Sequence, residues 1–279
     1  MYCIVGRDGS GVIVSVGSGV TAYKVGDEVY YAGDITRNGS YSQYTLVDSR
    51  IIGHKPKSLT HVEAAALPLT TLTFHEGLYE NNLFHLRGDS VKGQHILIVA
   101  GAGGVGSIGI QLAKHYGLIV TATASRPETV SYCKSLGADY IIDHSKPLKD
   151  QVEKLNLGSS TPYSYIFNTH DDSVLNEIVS VAAPLAHITM ILPLTKHIDT
   201  AINIFYKRIT IHFELMYTRS MYHVDEQKQG DILNWLTKLV ESGVIKTTLN
   251  KTYECKDMIA AQKFLETGKS IGKTVVKID

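Results

Sequence analysis

Three glycines with the spacing Gly-x-Gly-x-x-Gly stand between an apolar, β-branched run and a helical stretch, at Gly101, Gly103 and Gly106. Glycines fall at such spacings by chance, but inside a strand–turn–helix–strand frame the pattern is typical of dinucleotide binding. The first glycine permits a tight turn, the second lets the backbone approach a pyrophosphate, and the third lets the helix pack close to its strand. We predict that this turn, together with Gly104 and Val105, binds a dinucleotide at the helix N-terminus. A flexible turn between core elements is the alternative.

The residues that end the second strand of this frame indicate which dinucleotide is bound. A cofactor with a free ribose 2′-hydroxyl needs a carboxylate about 20 residues past the glycines. That position holds Ser125-Arg126 here, and no carboxylate stands at the strand end. Because arginine binds a 2′-phosphate bidentately, we predict NADPH as the cofactor. The alternative is that Arg126 is a solvated residue opening the next helix, where Pro127 suits the first turn and Glu128 complements the helix dipole.

The elements that would position these residues alternate between strand and helix from residue 95 onward. This alternation predicts a parallel, doubly wound α/β sheet. The later predicted strands are Tyr140–Ile142, Tyr165–Phe167, His187–Leu192 and Ile209–Phe213. Ligands bind in the crevice beyond the carboxyl ends of such strands. Asn168 and Thr169, which end one of them, are therefore predicted to contact the cofactor.

The segments on either side of this α/β part have a different pattern. Residues 11 to 55 are β-rich with glycine-containing turns, and residues 61 to 80 are predicted to be helical with a break at Pro68. The predicted strands of the first segment are Val12–Val14, Glu28–Tyr31 and Ser40–Val47. The C-terminal predictions are helices near Gln227–Val240 and Asp257–Leu265 and a closing strand at Lys273–Ile278.

Composition limits the partners and the compartment. The chain has 279 residues, with 27 Lys+Arg against 27 Asp+Glu, so nothing indicates nucleic acid or an anionic membrane as a partner. Its three cysteines are scattered and odd in number, which fits a reducing cytosol without a disulfide framework. No apolar run is long enough for a membrane helix, and the N-terminus lacks a signal-peptide pattern. We expect a cytoplasmic enzyme with a small-molecule substrate.

Several ordered segments together resemble the medium-chain dehydrogenase/reductase superfamily, in its zinc-free quinone oxidoreductase-like branch. They are Gly17–Thr21, Lys24–Tyr30, Gly39–Tyr44, Ala64–Thr70, Gly101–Gly106, Leu136–Asp139 and Ile271–Val276. A further run, Phe213–Ser220, resembles a bacterial subgroup called zinc-type alcohol dehydrogenase-like. The resemblance implies a GroES-like β-rich domain over 1–74, an NADP-binding Rossmann domain over 75–217, and a C-terminal segment over 218–279 that returns to the first domain.

The resemblance also implies a reaction and a set of candidate residues. NADPH would deliver a hydride to a quinone or an α,β-unsaturated carbonyl, and a nearby donor or solvent would supply the proton. Tyr41 and Thr70 are the candidate catalytic residues, with Tyr30 as a further donor. His144 stands where relatives place a ring near the adenine ribose. A packed aromatic, a helix cap and a surface-turn histidine are the respective structural alternatives.

Two departures from the family pattern bear on this prediction. Gly6-Arg7-Asp8 stands where zinc-dependent relatives have Gly-His-Glu, and three scattered cysteines cannot form a four-cysteine site. We therefore predict no bound metal. The second departure is that the family has several strands before the segment that matches residues 6–30. The alternative function is therefore a non-catalytic or decayed NADPH-binding protein.

The run from Arg208 to Leu215 is strongly β-forming and is predicted to lie at the outer edge of the Rossmann sheet. An open apolar edge strand is prone to pair with another chain. In similar reductases this edge pairs antiparallel with its copy, in a closed two-fold dimer. We expect a homodimer whose interface includes Ile209, Ile211 or Phe213. An edge covered by the chain's own tail is the alternative.

Overall fold

The computed structural model describes residues 4–80, 91–196 and 198–278, and the chain divides into two compact units. One unit comprises Met1–Leu72 together with Met216–Asp279, and the other comprises Thr73–Leu215. The N-terminal and C-terminal segments of the chain thus belong to the same unit. We call them the terminal unit and the central unit.

The central unit contains a six-stranded parallel sheet in the order β6-β5-β4-β7-β8-β9. Its strands are β4 (His95–Val99), β5 (Ile119–Thr123), β6 (Tyr140–Ile142), β7 (Tyr163–Asn168), β8 (Ala182–Met190) and β9 (Thr210–Phe213). The strand order reverses between β4 and β7, which is the switch point of a doubly wound sheet. The predicted fold class is therefore confirmed, and β9 is the outermost strand on its side.

Helices connect the strands of this sheet. They are α3 (Gly104–His115), α4 (Pro127–Ser135), α5 (Leu148–Lys154), α6 (Leu175–Val181) and α7 (Ala201–Lys207). Ile96, Leu97 and Ile98 of β4 are completely buried, because the central strands of a parallel sheet are covered on both faces. This double burial explains why the strands read as continuous apolar runs in the sequence.

The terminal unit holds two small sheets and the remaining helices. An antiparallel sheet has the order β1-β2-β3, and β10 pairs in parallel with β11. The strands are β1 (Gly9–Val12), β2 (Glu28–Tyr31), β3 (Ile52–His54), β10 (Leu249–Glu254) and β11 (Lys273–Lys277). The helices are α1 (His61–Ala64), α2 (Pro68–His75), α8 (Thr218–Tyr222), α9 (Gln227–Glu241) and α10 (Met258–Glu266); α2 runs into the central unit and is followed by a π-helical turn, Glu76–Glu80.

Helix α9 packs on the antiparallel sheet. It thereby brings the C-terminal part of the chain against strands from the N-terminal part. The buried Tyr30 hydroxyl donates to the Leu233 carbonyl over 2.7 Å, and Thr237 donates to the His54 carbonyl over 2.6 Å. The His54 N–H in turn donates to Asn234 Oδ1 over 2.9 Å. These bonds fix the register of α9 on β2 and β3.

The strand predicted over Ser40–Val47 does not form, and this prediction was wrong. The segment consists of bends, with Tyr44 and Leu46 strongly exposed. Ser42 explains the difference, because its N–H donates to the Ser40 carbonyl and its hydroxyl donates to the Tyr44 carbonyl. Such local bonds compete with a strand ladder. Among the described residues, no helix is long and apolar enough to cross a membrane.

Candidate functional site

The glycine turn lies between β4 and α3, at the switch point of the sheet. The backbone reversal occurs at Ala100, whose φ of 54° is left-handed, and not at Gly101 as predicted. Gly101 is required for packing instead, since a Cβ there would lie 2.7 Å from the Ala122 Cβ and 3.2 Å from the Cys133 Sγ. The glycine motif is thus present, but the role predicted for its first glycine is corrected.

The second and third glycines have the predicted surroundings. A Cβ on Gly103 would meet only the Ala100 carbonyl, at 3.3 Å, so the space beside it is open. A Cβ on Gly106 would lie 2.6 Å from that carbonyl, so the helix packs directly on the turn. The N–H groups of Gly104, Val105 and Gly106 belong to the first turn of α3 and have no intrahelical acceptor. This open, N–H-lined cradle fits a pyrophosphate.

Thr123, which was not predicted from the sequence, connects the end of β5 with the residues that follow β4 and β6. The completely buried Thr123 hydroxyl at the end of β5 accepts the Ala100 N–H over 2.8 Å and lies 3.1 Å from the His144 Nδ1. The sequence signal was a hydroxyl residue at the carboxyl end of a buried strand, where ligands bind. Thr123 therefore fixes both the turn and the histidine.

The contact with Thr123 also determines how His144 can interact with a ligand. The Thr123 hydroxyl accepts from Ala100 and has one proton left to donate; we assign that proton to the His144 Nδ1, in which case the Nε2–H is the donor. Desolvation lowers the His144 pKa, Asp143 opposes this, and His170 and Arg126 lower the pKa further. The exposed ring is thus a neutral donor that lies near two other potentially cationic side chains.

Ser125 and Arg126 follow β5, as the sequence predicts. Ser125 is exposed, and the Arg126 N–H donates to the Thr129 Oγ1 at the start of α4. The Arg126 Nε pairs with the Glu128 carboxylate over 3.1 Å. Glu128 is therefore a counterion of this arginine as well as an acidic residue in the first helical turn. An ion pair this exposed contributes only about 0–1 kcal/mol, so it would give way to a phosphate at little cost.

Asn168 and Thr169 lie at the end of β7, and their side chains form hydrogen bonds with nearby backbone groups. Asn168 is fully buried, its Nδ2 donates to the Asp171 carbonyl over 3.1 Å, and its Oδ1 accepts the His170 N–H over 3.0 Å. The Thr169 hydroxyl donates to the Val99 carbonyl over 2.7 Å. These bonds shape the loop after β7, and contact of the two residues with the cofactor stays a prediction.

The predicted proton donor Tyr41 lies in the terminal unit. Its N–H donates to the Val5 carbonyl over 3.0 Å, and its half-buried ring lies against Gly6, where a Cβ would come within 2.4 Å of the ring. Burial raises the Tyr41 pKa, Lys273 opposes this, and Asp8 raises the pKa further. The phenol therefore stays protonated at neutral pH, as a proton donor must.

Asp8 connects this tyrosine's surroundings to three other parts of the terminal unit. Its carboxylate accepts the Leu69 N–H and pairs with Lys273, both over 2.7 Å. Its carbonyl accepts the Ser40 hydroxyl over 2.6 Å. Asp8 thus holds β11, the α2 N-terminus and the segment around Tyr41 in one polar cluster.

The other two candidate donors are Thr70 and Tyr30. Thr70 is buried, and its hydroxyl donates to the Leu67 carbonyl over 3.2 Å, which is a helix-terminus bond. Tyr30 is completely buried, and desolvation raises its pKa well above the ordinary value. Its hydroxyl bonds Leu233. Both hydroxyls donate to backbone carbonyls here, and the roles of Thr70 and Tyr30 in proton donation stay predictions.

Metal ligands do not converge in the described parts of the chain. Across residues 4–80, 91–196 and 198–278, no three His, Cys, Asp or Glu side chains come close enough together to hold an ion. Cys133 and Cys255 are free thiols, one buried and one exposed.

Comparison with known proteins gives matches along nearly the whole chain. Residues 104–229 match the family of zinc-binding dehydrogenases, and residues 1–57 match the alcohol dehydrogenase GroES-like domain. The chain is 35% identical to a zinc-type alcohol dehydrogenase-like protein of Staphylococcus aureus, over 99% of this chain and 82% of that protein.

Solved structures give the same result. A protein from Rhizobium etli named for the zinc-dependent alcohol dehydrogenases has a TM-score of 0.89 and 40% identity, over 98% of this chain and 80% of that one. A quinone oxidoreductase from Pseudomonas syringae has a TM-score of 0.81 and 25% identity, over 98% and 81% of the two chains. The two family matches, this fold and the glycine turn together show that the chain belongs to the medium-chain dehydrogenase/reductase family of oxidoreductases.

Proposed function

We propose that this protein is an NADPH-dependent oxidoreductase that works without zinc and transfers a hydride to a quinone or an α,β-unsaturated carbonyl. The observation that carries the proposal is the carboxyl edge of β4 and β5. An open glycine cradle lies there beside Ser125 and Arg126, and no carboxylate follows β5 at the strand end. A free 2′-hydroxyl would need that carboxylate, whereas a 2′-phosphate is bound by a guanidinium.

The residues of the central unit would bind and orient the cofactor. The α3 N-terminus and Gly103 would hold the pyrophosphate, Arg126 and Ser125 the 2′-phosphate, and His144 would donate from Nε2 to a nearby ribose or phosphate oxygen. The nicotinamide ring supplies the hydride when NADPH is bound. The protein's contribution to this step is orientation and electrostatics.

Tyr41 would donate the proton that balances hydride addition. Its phenol is half-buried and protonated at neutral pH, and Lys273 lies close enough to lower its pKa against the effect of burial. Hydride addition to a conjugated carbonyl or quinone produces an enolate or phenolate, which a phenol can hydrogen-bond and protonate.

The proposal includes the absence of zinc. The side chains of the Gly6-Arg7-Asp8 motif support it. Arg7 occupies the middle of the Gly6-Arg7-Asp8 motif, and a guanidinium is not a metal ligand. Elemental analysis of the purified protein tests it. We expect less than one zinc per ten chains, and one zinc per chain that is required for turnover would contradict it.

The enzymatic proposal is tested by NADPH oxidation with a panel of benzoquinones, naphthoquinones and simple enones. We expect turnover with at least one class, and loss of most of the rate in Tyr41→Phe. NADPH binding without oxidation by any acceptor would instead support a non-catalytic NADPH-binding protein.

A cytoplasmic location and a homodimer complete the proposal. Exposed Cys255 is a free thiol, which fits a reducing compartment. In the described part of the sheet β9 is the last strand, and its Phe213 is exposed, so an antiparallel copy of β9 would satisfy the edge. Fractionation of the native cells and light scattering test the two parts.

A further inference from the structure

We propose that Ser10, His61 and Glu28 of the terminal unit form a nucleophile–base–acid triad, which gives the protein a second activity as a hydrolase of small esters. The three side chains are linked in series. The Ser10 hydroxyl lies 2.8 Å from the His61 Nδ1, and the His61 Nε2 lies 3.3 Å from the Glu28 Oε1. A serine, a histidine and a carboxylate in this order activate a serine nucleophile on several unrelated folds. All three lie within one unit, so the inference does not depend on cofactor binding or on the proposed function.

The local fold brings these residues together from three separate segments. Ser10 lies on β1, and Glu28 begins β2, where it is paired directly with Val12. Residues two apart on a strand share a face, as do directly paired residues, so Ser10 and Glu28 lie on the same face of the sheet. His61 is the first residue of α1, and a capping box fixes the start of this helix. The position of the imidazole between hydroxyl and carboxylate thus follows from the strand register and the helix start.

The Glu28 carboxylate determines which nitrogen carries the proton in the neutral His61 ring. An ionised carboxylate only accepts hydrogen bonds, so the proton is assigned to Nε2, and the lone pair of Nδ1 then faces the Ser10 hydroxyl. The hydroxyl also lies 3.1 Å from the Val29 carbonyl. The contact with Nδ1 is the shorter of the two, and it is the path by which His61 takes the proton when Ser10 attacks.

Lys55 holds the carboxylate on its other oxygen. Its Nζ lies 3.3 Å from the Glu28 Oε2 and donates to the Pro56 carbonyl over 2.9 Å, and only 4% of its side chain is exposed. This buried ammonium group is fixed by its own loop, and it leaves the Oε1 of Glu28 for His61. Glu28 is therefore a positioning residue, which orients the ring and stabilises the imidazolium that forms during the reaction.

The site is accessible and has a donor for the oxyanion. Ser10 is partly buried, and 37% of the His61 side chain is exposed. The Lys55 N–H donates to the Glu28 carbonyl, so the backbone groups of Glu28 and of Tyr30 face β3. Ser10 is paired with Tyr30, so its own N–H points away from β2, and β1 is the outer strand of this sheet in the described part of the chain. The N–H of a nucleophilic serine in such a place stabilises the negative charge that develops on a carbonyl oxygen.

The reaction that this arrangement supports is ester hydrolysis in two steps. The Ser10 Oγ forms a bond to the ester carbonyl carbon while its proton passes to the His61 Nδ1. The ester C–O bond breaks, and the leaving alcohol takes the proton from His61. Water then attacks the acyl-serine with His61 as the base, which releases the carboxylic acid and restores the hydroxyl. Ester and water thus become acid and alcohol, and the substrate class is small activated esters such as aryl acetates.

The experiment measures p-nitrophenol release from p-nitrophenyl acetate and labelling by a fluorophosphonate, which phosphonylates activated serines, followed by peptide mass mapping. We expect one label per chain, on the peptide that contains Ser10. His61→Gln should lower both rates by about 10²-fold, and added imidazole should restore part of the rate in His61→Gly. Glu28→Gln should also lower both rates, and Glu28→Asp should retain part of them. Ser15→Ala, which removes an exposed serine that follows β1, is the matched control and should change neither.

Three results would overturn the triad. They are the absence of a label on Ser10, equal labelling rates in the wild type and a folded His61→Gln protein, and p-nitrophenol release that persists in Ser10→Ala. Circular dichroism establishes the fold of each variant. If His61→Gln does not fold, Glu28→Gln at its exposed position decides, because an unchanged labelling rate there would also contradict the proposal. None of these measurements uses NADPH, so failure of the proposed function would leave their result intact.

Discussion

Gly103 is the residue at which a single added side chain should separate binding from folding. Its φ of −73° and ψ of 178° are open to any residue, and a Cβ would touch only the Ala100 carbonyl. In Gly103→Val we expect the sheet to fold and NADPH affinity to fall by at least about tenfold, because the side chain fills the cradle. Calorimetry and circular dichroism measure the two effects. Gly19→Val, at a glycine with open space around it, should change neither. A folded Gly103→Val protein with wild-type affinity would count against the cradle.

The second prediction at the residue scale concerns Tyr41 and the dependence of kcat on pH. Burial raises the Tyr41 pKa above its ordinary value, so the protonated, donating form predominates throughout the neutral pH range. We therefore expect kcat to show no loss from this group as the pH rises through neutrality, and Tyr41→Phe to lower kcat by about 10²-fold with the Kd for NADPH unchanged. Tyr44→Phe, at an exposed tyrosine, is the control. A kcat in Tyr41→Phe equal to that of the wild type would assign proton donation to another group.

Residue-level prediction from the sequence succeeded where a motif restricts the backbone. The spacing of Gly103 and Gly106 implies an open cradle and a close helix approach, and both are present. It could not place the left-handed turn at Ala100, because alanine has no preference for that conformation. Nor could it show that Asn168 uses its amide on its own loop, because that depends on the path of the chain after β7.

At the scale of the elements, the carboxyl ends of β4 and β5 position the residues proposed to bind the cofactor. Substitutions at Thr123 test this arrangement. Thr123→Val would leave the partly buried Ala100 N–H without this partner, so we expect a loss of about 1 kcal/mol in unfolding free energy and weaker NADPH binding. Thr123→Ser keeps the hydroxyl and should retain cofactor affinity. Denaturant unfolding and calorimetry give the values. If Thr123→Val had wild-type stability and affinity, the proposed link between β4, β5 and His144 would be wrong.

Elements were predictable where burial determines the sequence pattern. The strands from β4 to β9 read as apolar runs because the sheet is covered by helices, and each lies within or overlaps its predicted run, although β8 begins at Ala182 and not at His187. The 40–47 segment instead alternates between polar and apolar residues, and hydrogen bonds of Ser42 within the segment take the place of a partner strand. Whether an alternating run finds a partner strand depends on the rest of the fold, which alternation alone does not specify.

At the scale of the whole molecule, exposed aromatic side chains near the outer strand of the central unit predict that the protein forms a homodimer. β9 ends the sheet, Phe213 is 57% exposed, and the preceding helix α7 exposes Phe205 and Tyr206. We expect a homodimer at micromolar concentration by light scattering, with Phe213→Lys shifting the mass toward a monomer. Ile259→Lys, at an exposed position in the terminal unit, should leave the mass unchanged. A wild-type monomer would show that the edge is covered in another way.

Cofactor choice is the most direct test of the whole account, because it depends on the glycine cradle, the end of β5 and Arg126 together. The measurement is calorimetric titration of NADPH and NADH into the wild type and Arg126→Ala. We predict that NADPH binds the wild type at least about tenfold more tightly than NADH, a difference of about 1.4 kcal/mol, and that Arg126→Ala removes most of this difference without weakening NADH. Equal affinities for the two cofactors in the wild type would contradict the assignment of Ser125 and Arg126 to a 2′-phosphate.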